Sequence, residues 1–61
     1  MELIELNIIT PEFILQLKAN IMPRVNEFIY VEFEGVEYKK RITSVVYVIN
    51  DGNATIKIFT D

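Results

Sequence analysis

The sequence predicts a single small domain, mostly β (α+β) with one short helix, and three observations carry that expectation. Two glycine-centred pairs, Glu34-Gly35 and Asp51-Gly52, each sit between two runs of residues. Those runs are rich in Val, Ile, Tyr, Phe and Thr, which suit a pleated, half-buried backbone. The chain has 61 residues, 51% hydrophobic, with a net charge of −3, which is too apolar for a disordered segment and too short for a second domain.

The first segment, Glu2 to Ile9, alternates Ile4, Leu6 and Ile8 against Glu5 and Asn7, the period of a half-buried strand. Thr10-Pro11-Glu12 then predicts a helix start, with a capping hydroxyl, a proline at the first helical position and an acid facing the dipole. Phe13, Leu17 and Ile21 share a face of that helix, which runs to Asn20. The same residues also alternate Phe13, Leu15, Leu17 and Ala19 against Ile14, Gln16, Lys18 and Asn20, so a strand over 11–20 stays open. Pro23 ends either element.

Around Glu34-Gly35, a two-residue hairpin pairs Phe33 with Val36, Val31 with Tyr38 and Ile29 with Lys40 on one side. The other side pairs Glu32 with Glu37, Tyr30 with Lys39 and Phe28 with Arg41, and the like-charged pair assigns that side to water. Asp51-Gly52 is a preferred type I′ pair. It sets Ile49 against Ala54, Tyr47 against Ile56 and Val45 against Ile58 on a wholly apolar face. Val48 with Thr55, Val46 with Lys57 and Ser44 with Phe59 make the mixed opposite face. Ile42 and Val45 both belong to the core though three residues apart, which requires a bulge or bend at Thr43-Ser44.

The stretch Met22-Pro23-Arg24-Val25-Asn26-Glu27-Phe28-Ile29, with Gly35, Tyr38 and Val45 to Ile49 after it, resembles the pattern of small SH3-like barrel proteins of bacteriophages and bacterial mobile elements. Those proteins often carry Pro-Arg-x-Gly-Glu before a hairpin. Here Asn26 stands at the glycine position, which fits a residue with positive φ. The resemblance implies a small antiparallel, SH3-like, partly open barrel. It also implies a setting in which such proteins are virion components or modifiers of host proteins, and it transfers no catalytic residue.

Composition removes most chemistry. The chain has no His and no Cys, and Ser44 is its only serine, so no nucleophile has a base; no catalytic residue is assigned and no enzyme is expected. No cofactor-binding or metal site is expected either, because Asn50 to Asn53 lacks the ligand spacing and terminal Glu of a calcium loop. Nine acids against six bases argue against affinity drawn from many phosphates. Met1-Glu2 brings no basic leader and no apolar run reaches membrane-spanning length, so the expectation is a cytoplasmic protein without membrane contact.

What remains is protein binding. Val46, Val48 and Phe59, with Phe28 and Tyr30 as further anchors, form the expected partner face, for another protein or for a second copy in a homo-oligomer. The alternative is a nucleic-acid-binding barrel that uses Lys39, Lys40 and Arg41 beside Tyr30 and Phe28.

Overall fold

Four residues with positive φ fix the two hairpins of the C-terminal half. Glu34 and Gly35 lie at φ 51° and 78°, and Asp51 and Gly52 at 45° and 82°. Positive φ at both central positions is the type I′ turn, whose twist matches that of the strands it joins. The computed structural model describes residues 3–61, so Glu2, where the first strand is expected to begin, and the Met1-Glu2 start lie outside the described residues. Five strands follow: β1 (Ile4–Ile9), β2 (Ile14–Ala19), β3 (Phe28–Phe33), β4 (Val36–Asn50) and β5 (Asn53–Thr60). They form one curled sheet, a half-barrel, in the order β2-β1-β5-β4-β3.

Both hairpin registers are the expected ones, from Phe33 opposite Val36 to Phe28 opposite Arg41, and from Ile49 opposite Ala54 to Ser44 opposite Phe59. The register of β4 against β5 slips between Ile42 and Ser44, where the sequence requires a bulge. Before the slip, even-numbered β4 residues face inward; after it, odd-numbered ones do. Ile42 and Val45 thereby both reach the core. That core is Leu6, Ile8, Ile42, Ile56 and Ile58, with Ile42 and Ile58 fully enclosed.

The helix expected over 11–20 is instead a strand, and the open alternative holds. Thr10 Oγ1 accepts the amides of Glu12 and Phe13 at 3.1 and 2.9 Å, as a helix cap does. The same hydroxyl donates to the Phe13 carbonyl, which also accepts the Thr10 amide at 2.9 Å. These bonds close a four-residue reversal, and the fixed φ of Pro11 serves its second position as well as it serves a first helical turn. The chain then pairs back on β1, with Leu15, Leu17 and Ala19 opposite Ile8, Leu6 and Ile4. Among the described residues there is no helix.

The sheet is not the wholly antiparallel one expected: β1 lies parallel to β5, with Leu6 beside Ile56 and Ile8 beside Ile58, because the two strands are joined through the rest of the chain and not by a turn. The connection from β2 to β3 carries the chain from one edge of the sheet to the other. Its turn, Arg24 to Glu27, is closed by the Glu27 amide on the Arg24 carbonyl and by Glu27 Oε1 accepting the Arg24 amide at 2.8 Å. Asn26 has φ 73°, the positive value that a type II turn demands at its third position. A second, aromatic cluster seals the end near Thr10: Phe13 stacks on Phe33 at 4.5 Å and tilts against Tyr38 at 5.0 Å.

Two substitutions test this account by urea denaturation. Thr10→Val keeps the shape and strips three hydrogen bonds from a buried site, so stability falls by about 1–3 kcal/mol. Glu34→Asn relieves a side chain held in the left-handed region and raises stability by up to about 1 kcal/mol.

Candidate functional site

Val46, Tyr47, Val48 and Ile49 are four consecutive apolar residues in β4. A run of that kind ordinarily belongs to a strand covered on both faces. Here neither face is covered: their relative exposures are 41, 59, 37 and 78%. For Val46 the cause is the lack of a second layer on its face; for Val48 and Ile49 it is also the short reach of β1. β1 lies against β5 only from Leu6/Ile56 to Ile9/Phe59, so beyond Ile56 the β4–β5 hairpin projects without a neighbour on the β5 side. The molecule extends 35 × 22 × 19 Å, and its radius of gyration of 11.7 Å exceeds the roughly 10.5 Å of a compact chain this long.

On the convex face, Val46 stands opposite Lys57 and Val48 opposite Thr55. Phe59, half-buried, lies one pair further along and beside Ile9 of β1, which is itself opposite the exposed Ile14. The structure therefore brings Val46, Val48 and Phe59 together as one patch. Phe28 and Tyr30 are also convex and exposed, but they sit beyond the bulge on β3. Lys39 Nζ lies 4.8 Å from the Phe28 ring centroid and 5.9 Å from that of Tyr30, so its ammonium covers both rings.

The basic residues divide between the two faces. Arg41 and Lys39 are convex, opposite Phe28 and Tyr30, whereas Lys40 lies opposite Ile29 on the inner side. There its ammonium forms an ion pair with Glu12 and lies 5.6 Å from the Tyr38 ring centroid.

Tyr47 and Ile49 pair as expected but are exposed residues that sequence reasoning did not single out for the site. Their parity is that of the core, and they do face inward, but the half-barrel ends before it encloses them. The segment Met22-Pro23-Arg24-Val25 lines one side of an open hollow of about 340 Å³ whose other side is Val45 and Tyr47. Exposed Ile21 and Val25 extend the apolar surface on that side. The signal was present in the run itself, since a single sheet in so short a chain has nothing with which to cover both faces of Val46 to Ile49.

A second consequence of the open barrel is a groove of about 330 Å³ between β2 and β3, floored by Leu6 and Ile8. Among the described residues, no helix is long and apolar enough to cross a membrane. The chain matches no protein-family model, no curated protein and no solved structure.

The uneven cover gives the same residue type very different weights on one face of one hairpin. Ile58→Ala is expected to lose about 2–5 kcal/mol, whereas Ile49→Thr changes stability by less than about 0.5 kcal/mol in the same urea titration.

Proposed function

We propose that this chain is a small non-enzymatic interaction module that binds protein through the projecting β4–β5 hairpin, with a second copy of itself as the first partner to expect. The observation that carries the reading is the exposed run Val46 to Ile49. Four apolar residues open to water on both faces of one strand leave apolar area that the monomer does not bury, and exposed apolar surface of this kind marks contact sites. Val48 and Val46 with Phe59 supply the convex half of the contact, and Tyr47 with Ile49 the inner half. Phe28 and Tyr30 extend the contact only where Lys39 gives up their rings.

In this reading the half-barrel is SH3-like, as the resemblance of residues 22–60 to phage and mobile-element proteins implies. The setting is correspondingly a virion, or the cytoplasm of a host whose proteins the module modifies. The lack of His and Cys is in keeping with a binding role.

Light scattering over a dilution series, with circular dichroism on the same samples, tests the contact. The expected mass exceeds 7.1 kDa at high concentration. It falls to the monomer in a Val48→Lys/Ile49→Lys variant whose dichroism is unchanged, and in Phe59→Asp. A wild-type chain that stays monomeric to millimolar concentration and binds no apolar dye at the hairpin would remove the reading.

A further inference from the structure

β3 ends the sheet on one side and β2 on the other, and neither has a second strand partner. The direction of the unpaired groups follows from one hydrogen bond. The Ile42 amide donates to the Glu27 carbonyl at 2.9 Å, so residue 27 points its backbone groups at β4. By the alternation of an antiparallel ladder, Ile29, Val31 and Phe33 do the same, while Phe28, Tyr30 and Glu32 point theirs away from it. The apolar groove lies on that side. It is lined by the consecutive residues Ile29, Tyr30, Val31 and Glu32, which means that the strand's edge, and not one of its faces, forms the wall. Leu15, Leu17 and Ala19 of β2 form the opposite wall.

We infer that this seam is a second, separate binding site, which takes an extended basic segment of a different protein chain as an added strand on β3. The backbone amides and carbonyls of Tyr30 and Glu32 would pair with the guest. Its alternate apolar side chains would lie on the floor formed by Leu6 and Ile8 and against Leu15 and Leu17. Affinity from main-chain bonds and selectivity from alternate side chains is the general physics of strand addition.

Charge selects the occupant. Glu32 stands directly across from Glu37 on the convex face, a like-charged pair that costs stability, and the only ion pair found among the described residues is that of Lys40 with Glu12. A guest strand on β3 places a residue beside Glu32 in the row Glu37–Glu32, where a Lys or Arg meets two carboxylates. A second copy does the reverse. Pairing β3 with β3 would gather Glu27, Glu32, Glu34 and Glu37 of both chains along one edge. Self-assembly therefore belongs to the β4–β5 hairpin, and the seam to a foreign, basic strand.

Amide hydrogen exchange on the isotopically labelled full chain tests the inference with two blocked synthetic peptides, Lys-Val-Thr-Val-Lys-Val-Thr and the same sequence with Glu for Lys. In dilute protein the Tyr30 and Glu32 amides are expected to exchange at least tenfold faster than those of Ile29 and Val31. Saturation with the lysine peptide slows Tyr30 and Glu32 at least tenfold, the glutamate peptide binds about fivefold more weakly or worse, and Glu32→Lys reverses that preference. The inference is overturned if neither peptide changes these two amides, or if both peptides protect them equally. It also falls if the amides are already slow in the free protein, or if any such protection is lost on dilution, since a second copy would then occupy the edge.

Discussion

One residue inserted into β4 reconciles two demands that a straight strand cannot meet together. The first half of β4 must face Ile42 inward while pairing with β3, and the second half must face Val45 inward while pairing with β5. Strand alternation forbids both for residues three apart, and the register slip between Ile42 and Ser44 permits them. It also bends the strand, as bulges do, and that bend turns a five-stranded sheet into a half-barrel with an inside. Ile42 is fully buried at this corner, and the Asn26 amide donates to its carbonyl at 2.8 Å. The corner thus ties the β2–β3 connection to the strand that both hairpins share.

Because the sheet curls without closing, and has no second layer, its surplus apolar surface falls in defined places. The projecting hairpin exposes side chains, and the seam between β2 and β3 exposes backbone. These are different kinds of incompleteness. The first is remedied by burying area, with little demand on orientation, and the second only by a chain in extended conformation at one register. On the two proposals made above, the contacts would not compete, because one lies at the hairpin tip and the other at the open edge.

Much of the fold was legible because turn chemistry is local. Asp51-Gly52 and Glu34-Gly35 state their φ requirement in the sequence, and a turn of known length leaves only one register. The bulge was legible by elimination, from the spacing of Ile42 and Val45. The helix over 11–20 was misread for a physical reason: a hydroxyl that caps two following amides and a proline behind it serve a helix start and a tight reversal equally. What decides between them is β1, whose edge gains a six-pair ladder from a strand. The parallel pairing of β1 with β5 left no local mark, since no turn joins them. For the candidate site, the outward parity of Val46, Val48, Phe28 and Tyr30 could be read from the pattern. The exposure of Tyr47 and Ile49 does not follow from their parity, because periodicity says which way a side chain points and not whether anything lies over it; only the length of the apolar run in so short a chain signals it.

The position of β5 has a temporal meaning. It is the middle strand, contributes Ile56 and Ile58 to the core, and is the strand on which β1 and β4 meet. In chain order it follows every other strand, so a chain growing from a ribosome carries the β1–β2 hairpin for more than thirty residues before β5, the second partner of β1, is made. Contacts between β1 and β5 close the longest loop in the molecule, and such loops slow folding. Until that closure the β1–β2 hairpin has one unprotected apolar face, and an isolated hairpin is marginal in water. The sheet as a whole therefore cannot form before β5 is made. Until then the β1 edge that β5 will occupy is an open strand edge, the kind of surface another chain can pair with.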